Sequence, residues 1–527
     1  MNTQLANQDY DVVIIGAGLG GLLSAAQCLQ RGMRVAVLER LAHCGGRFTA
    51  KTFQGAQIST GAVHMLPFGS NGVLAGMLRR LAVPHYVYDA EVFASFFVHG
   101  QQYVCRSLLG VAAFLGPRQF GRFVLLGPTL MARRLPSNER DLPFTEWLKK
   151  YHVTPTSAPE LYAFFERISH FALSVPLEQI SAQEVAETTR NMFRYGPPGI
   201  VDGGCAAVTG ELERRVREQG AELRLRHDVV RIMTKDGAVT GVHVRDKATS
   251  AESILHTPLV ISTIGPRATL PMIQGGAEDA SADALLSEND SFDGVSARPS
   301  ENMAVSGALS ATNGAPLREA IGLKTHVLSD RSLIAHKGIM YCLDTERIAG
   351  VVQPSNSDRR LAPPGKHLLI THQVMRSDDV EKERALALAD LRRIFGPDFE
   401  QACKVLTISQ YRGEWPVNRA QQGADFSPEI GLRGLLLVGD AIKPSGYLMV
   451  EGVAQSVNQM LDLLDALDGS EVASIGNQGP ARAASEEQPS GRSHIPPKPK
   501  AARALYWLVS PPPPARQKPL QTRGERL

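Results

Sequence analysis

Long apolar runs are missing from this chain. No stretch of its 527 residues reaches the roughly 18 uncharged apolar positions a membrane-spanning helix requires, so none is expected. Cysteine is scarce, with six residues at 28, 44, 105, 205, 342 and 403. No two of them stand in a C-x-x-C spacing or beside paired histidines, which argues against a zinc site. Free thiols in a reducing, cytoplasmic compartment are the expectation. Met1 to Tyr10 lacks a basic region followed by an apolar one, so no secretory signal is expected. Strong basicity is absent as well. The net charge is +3, and residues 471–527 carry nine Lys/Arg against four Asp/Glu, or +5, leaving −2 for residues 1–470. A nucleic-acid partner is therefore not expected. No internal repeat is found, and the length predicts two to four domains at about 150 residues each.

The informative residues come first. Asp11 to Ile15 is a short β-branched run that reads as a buried parallel strand. Gly16-Ala17-Gly18-Leu19-Gly20-Gly21 then matches G-x-G-x-x-G. Leu22 to Arg31 has helical character, Gly32 closes it, and Arg34 to Leu38 is a second strand ending on Glu39. Gly16 suits a tight turn, Gly18 a close approach to pyrophosphate, and Gly21 close packing of helix on strand. The helix N-terminus offers free N–H groups to phosphates, and Glu39 stands where a carboxylate takes ribose hydroxyls. Strand, glycine turn, helix, strand and acid arrive in order, and the reading is a dinucleotide site.

Glu39-Arg40 leads into Gly45-Gly46-Arg47. This doublet and arginine resemble the extended FAD fingerprint of the flavoprotein group that holds amine oxidases, phytoene desaturases, carotenoid isomerases and retinol saturases. The resemblance implies FAD, with Gly46 and Arg47 against its ribose and pyrophosphate. Arg47 offers a planar fork suited to phosphate oxygens. Near the other end, Gly434 to Asp440 reads as a buried strand closing on Gly439-Asp440. Gly446 to Ala454 then opens an amphipathic helix with Val450, Val453, Val457 and Met460 at helical spacing. In the group, the Gly-Asp pair contacts the ribityl phosphate and the helix N-terminus faces the flavin pyrimidine, which places Val450 there. Leu223 to Met233 alternates as one strand, Asp236-Gly237 is a turn, and Val239 to Val244 returns. By resemblance, Val229 meets the adenine.

The segment Pro197 to Gly204, leading into a helix from Val208 to Gln219, resembles the phytoene desaturase, carotenoid isomerase and retinol saturase branch most. One departure stands out: Ser59 or Thr60 occupies the place where that branch carries an acid, with His64 close by. His64 is a candidate proton carrier, and a histidine satisfying backbone groups is the alternative. Glu414, inside Tyr411 to Pro416, is a second candidate acid or base, with a surface Arg–Glu pair as the alternative.

The expected architecture is α/β. A discontinuous Rossmann-type FAD-binding domain with a parallel sheet spans 1–90, 196–267 and 430–468. A mixed α+β substrate-binding domain spans 91–195 and 306–429. A flexible insertion is expected at 275–305, and a disordered, Pro-rich basic tail at 469–527. Residues 105–135 are apolar and punctuated by arginines, which suits either peripheral contact with anionic lipid or a buried helical wall. The function implied by resemblance is FAD-dependent oxidation, reduction or isomerisation at C–C or C=C bonds of a hydrophobic polyene or isoprenoid. Electrons would pass to a quinone, oxygen or a protein. Amine or protoporphyrinogen oxidation is the alternative enzyme, and a flavin-free carrier resembling Rab GDP-dissociation inhibitors is the alternative of another class.

Overall fold

The computed structural model describes residues 9–61, 63–274, 320–413, 416–417 and 426–475, with side chains through 466. The insertion expected at 275–305, Glu414, and the tail beyond Ile475 lie outside the described residues.

A five-stranded, all-parallel sheet runs in the order Glu222–Leu225, Val35–Glu39, Val12–Ile15, Val260–Ser262, Leu435–Leu437. Its residues are apolar on both faces because both are covered. Val12, Ile14, Val35, Val37 and Leu436 face the helices Leu19–Gln30, Gly204–Glu218 and Met449–Ile475. The alternate residues Val13, Ile15, Ala36, Leu38, Val260 and Leu437 face a four-stranded mixed sheet contributing Val229, Ile232, Val239 and Val242. The result is a Rossmann-type three-layer stack.

Two expectations need correction here. The alternating run Leu223 to Met233 is not one strand. Arg226 adopts a left-handed φ of 58° and splits it into Glu222–Leu225, an edge of the parallel sheet, and His227–Lys235, which pairs with Ala238–Asp246. Asp236 and Gly237, at φ 51° and 70°, make the tight turn between that pair. The C-terminal helix also outruns Asp468, continuing to Ile475, because the change in composition at Asp468-Gly469-Ser470 does not break it.

A seven-stranded mixed sheet runs in the order Cys403–Tyr411, Gly322–Ser329, His367–Val374, Ile348–Val352, Ile339–Cys342, Ala94–Val98, Gln101–Cys105. The pair Ile339–Cys342 and Ala94–Val98 is parallel and the others antiparallel. One face packs Phe96, Tyr341 and Ile370 under the helices Pro159–Leu173 and Ala112–Met131. The other packs Phe97, Val327 and Met340 against Leu391 of the helix Val380–Phe395. Among the described residues, no helix is long and apolar enough to cross a membrane.

Candidate functional site

The glycine turn is built by close approach. Gly16, at φ 95°, ends the first strand with its N–H on the Leu38 carbonyl at 2.8 Å. A Cβ on Gly21 would lie 1.9 Å from the Gly16 carbonyl oxygen, so the helix Leu19–Gln30 sits on the turn at a distance only glycine permits. That helix starts one turn earlier than its sequence pattern indicates. Gly18 is different. A Cβ there would meet nothing within 4 Å, so its open side is available to a ligand. The buried Glu39 carboxylate accepts from Ala17 N at 2.8 Å and Leu41 N at 2.9 Å, which fixes it at the end of the second strand.

These residues share one cleft of about 630 Å³. Gly16, Gly18, Glu39, Arg40, Gly46, Arg47, Val229, Gly439, Asp440 and Val450 all line it, and Gly21 supports it from behind. Thr60 ties the second glycine doublet down by donating to Gly46 O at 2.9 Å. The Arg47 guanidinium donates to Asp440 at 2.7 Å and to the Pro416 carbonyl at 3.0 Å. As the chain stands, its fork thus bridges the two ends of the sequence rather than facing outward. Val450 lies at the N-terminus of a 27-residue helix aimed into the cleft. An open-faced glycine at a helix start, a fixed carboxylate at the end of the adjacent strand and a second helix N-terminus at the far end fit FAD. Gly18 and the first helix would hold the pyrophosphate, Glu39 the ribose, Val229 the adenine, and Asp440 with Val450 the ribityl–flavin end.

One wall of the cleft was not legible from motifs. Ser174 caps the helix Pro159–Leu173 in a left-handed conformation, φ 62° and ψ 27°, and lines the cleft. Its hydroxyl lies 3.0 Å from His372 Nε2. The register Leu323↔Gln373 sets Lys324 beside His372 on adjacent strands. Burial, reinforced by the neighbouring Lys324, pushes His372 well below its usual range, so the imidazole is a neutral base. Burial also lowers Lys324 to about 7, and its ammonium sits 4.8 Å from the Tyr411 ring centroid. His326 stands on the same face, 3.3 Å from Ser59 Oγ.

His64 is placed elsewhere. It is wholly buried at φ 58°, with Nε2 donating to Gln57 O at 2.9 Å and Nδ1 accepting from Cys205 N at 3.2 Å. Both ring nitrogens are engaged by backbone, burial lowers its pKa to about 4, and it is not among the lining residues. Its structural work is to hold the Gly204 turn, where a Cβ would come 2.7 Å from Nδ1. Glu414 falls outside the described residues, although its neighbours Gly413 and Val417 line the cleft.

Comparisons with known proteins agree with this geometry. An uncharacterized protein of Methanocaldococcus jannaschii is 30% identical over 455 residues, covering 86% of this chain and 99% of its own length. The crystal structure of an oxidoreductase from Methanosarcina mazei, also 30% identical, matches with a TM-score of 0.72 over 86% of this chain and 99% of that one. A putrescine oxidase variant, 15% identical with a TM-score of 0.60 over 87% of this chain and 99% of that one, shares the fold. The profile of the FAD dependent oxidoreductase (DAO) family matches residues 11–282, more than half of the sequence. The chain belongs to that family, and FAD is its cofactor.

Proposed function

We propose that this FAD-dependent oxidoreductase acts at C–C or C=C bonds of a hydrophobic, uncharged substrate of the polyene or isoprenoid class. The observation that carries the reading is the character of the cleft away from the nucleotide cradle. Val417 and Met449 are apolar, and Arg47, whose guanidinium donates to the Val417 carbonyl at 3.3 Å, is paired with Asp440, while His372 behind Ser174 is held neutral. Of the carboxylates that line the cleft, Glu39 and Asp228 belong to the cradle side, and Asp440 is paired with Arg47. A cationic substrate would thus meet no carboxylate without a cationic partner on the apolar side among the described residues.

Bound FAD supplies a two-electron acceptor or donor. The chain's own task is to manage the accompanying proton and to exclude water. A proton leaving the substrate reaches Ser174 Oγ and passes to His372 Nε2 along the 3.0 Å contact. Lys324, next to His372, raises the cost of holding that charge and favours its onward release. The electron acceptor, whether quinone, oxygen or a protein, is left to experiment.

Oxidation of an amine is a second reading, and one observation favours it. Phe68, Tyr195 and Tyr447 form an aromatic cluster, with Phe68 and Tyr195 stacked at 5.0 Å and Tyr447 two residues before the cleft residue Met449. Ring faces attract alkylammonium groups. Anaerobic incubation of the purified holoenzyme with a polyene-containing lipid extract, or with a panel of amines and porphyrinogens, separates the readings. Bleaching of the flavin band by the lipid alone supports the first. Bleaching by an amine, with hydrogen peroxide released in air, supports the second. Flavin that neither class reduces, and that passes no electrons to a polyene once reduced, refutes both.

A further inference from the structure

Between Val104 and Leu135 the chain carries five arginines and no Asp or Glu. The helix Ala112–Met131, kinked at Gly116, buries Leu126 and Leu130 against the neighbouring helices, and Phe123 meets Phe164 edge-on at 5.5 Å. A surface helix packed this way presents polar residues on its other side. This one does not. Its outward positions after the kink include Gly121, Val124, Leu125, Pro128 and Met131, at three-to-four-residue spacing. Leu125 is 69% exposed, Val124 50% and Met131 37%, and in the segment just before the helix Val104 and Leu109 are 50% and 44% exposed. Only Phe53 and Ile254 among the described large apolar residues are comparably exposed elsewhere.

The cations frame this face. Arg122 is engaged by the carbonyls of His152 and Ser157, at 2.7 and 2.6 Å. Arg106, Arg118, Arg133 and Arg134 are exposed, and among the described residues none of them forms an ion pair. We propose that this face, the outward side of residues 117–131 with Val104 and Leu109, lies in the surface of an anionic lipid bilayer. Leu125, Val124 and Met131 enter the acyl boundary and the four arginines meet lipid phosphates. Two properties favour a bilayer over a second copy of the chain. A two-fold contact would set the same arginines against each other with no carboxylate in the segment to meet them. A bilayer surface supplies an apolar layer and a negative one at the depths the helix needs. The helix lies on the membrane and does not cross it.

The test uses the full-length holoprotein and sedimentation with vesicles of phosphatidylcholine, with or without phosphatidylglycerol. The expected result is binding to the phosphatidylglycerol vesicles that weakens with salt. Val124→Asp/Leu125→Asp should lower that binding at least about tenfold, and Arg118→Glu/Arg133→Glu/Arg134→Glu should do the same. Flavin absorbance and melting temperature report that both variants remain folded, since every substituted side chain is on the outside. Wild-type protein that stays in the supernatant overturns the proposal. So does vesicle binding that both variants retain, which would assign it to the basic tail. A wild-type dimer that Val124→Asp/Leu125→Asp converts to monomer, with vesicle binding unchanged, would assign the face to a second copy.

Discussion

Two glycines three residues apart should fail in opposite ways. Gly21 and Gly18 belong to the same turn, yet the first faces backbone and the second faces open cleft. An alanine methyl at 21 would lie 1.9 Å from the Gly16 carbonyl oxygen. The closest comfortable carbon–oxygen approach is about 3.3 Å, so strand end and helix must part by about 1.4 Å. Overpacking of this kind costs about 1–3 kcal/mol, and in a folding unit the size of the FAD-binding domain, about 200 residues, roughly 2–4 °C of melting temperature accompanies each kcal/mol. Gly21→Ala apoprotein should therefore melt about 2–12 °C below the parent, with weakened FAD binding as a by-product. Gly18 has an ordinary extended backbone, φ −70° and ψ −177°, and a methyl there meets nothing within 4 Å. Gly18→Ala apoprotein should melt within a few degrees of the parent, because alanine is only a somewhat poorer N-cap than glycine. Its methyl would instead occupy the space of the pyrophosphate, and FAD affinity should fall at least about tenfold, about 1.4 kcal/mol. Thermal melts of the two apoproteins, with and without added FAD, check the pair. A Gly21→Ala protein as stable as the parent, or a Gly18→Ala protein that binds FAD normally, would refute the cradle geometry.

Other outcomes follow from the same structure. Glu39→Ala strands the Ala17 and Leu41 N–H groups in a buried turn and should weaken FAD binding by about tenfold or more, read by flavin fluorescence titration. His372→Gln should slow substrate reduction of the flavin by about 100-fold or more while flavin occupancy is unchanged, and anaerobic stopped-flow absorbance measures it. Lys324 titrates near 7 in the fold against 10.5 ordinarily, so between those values the unfolded chain binds a proton that the folded chain has shed. Stability should therefore rise with pH across that window, by at most about 5 kcal/mol, and Lys324→Met should flatten the rise in denaturant melts. Arg47→Ala removes the bridge to Asp440 and Pro416 and should lower both flavin occupancy and melting temperature, read on the same samples.

The nucleotide cradle was legible because its signals are local. Strand, glycine turn, helix and acid fall within some thirty residues, and each residue type answers a constraint imposed by its own neighbours. Gly434 to Val450 was legible for the same reason. The Ser174–His372–Lys324 wall was not, because a helix end and two strands of one antiparallel pair bring these residues together. No spacing in the sequence encodes that register. Arg226 hid the strand break, since an arginine in a left-handed conformation leaves no compositional mark where a glycine would. His64 drew attention as an ionisable group near the glycine doublet. What decides its role is the backbone on both sides of its ring, which only the fold supplies. The apolar character of 105–135 was plain, but which of its residues face outward depends on the kink at Gly116 and on what the inner face meets.

The order of strands in the parallel sheet has a consequence for biosynthesis. The central strand Val12–Ile15 leaves the ribosome early, yet its partner Val260–Ser262 lies some 250 residues later, and Leu435–Leu437 arrives later still. At about 5–20 residues per second, roughly 20–85 s separate the first strand from the last. Until Val260–Ser262 is made, a run of buried β-branched residues has Val35–Glu39 on one edge but nothing on the other, an occasion for chaperone binding and for aggregation. The helix Met449–Ile475, whose start lines the cleft, is the last of the described elements to be made. Flavin at that end of the cleft would therefore join only after the segment around residue 450 has been made. A nascent chain stalled before residue 430 should stay colourless at any FAD concentration, and riboflavin shortage should leave full-length but incompletely closed protein for the cell's proteases.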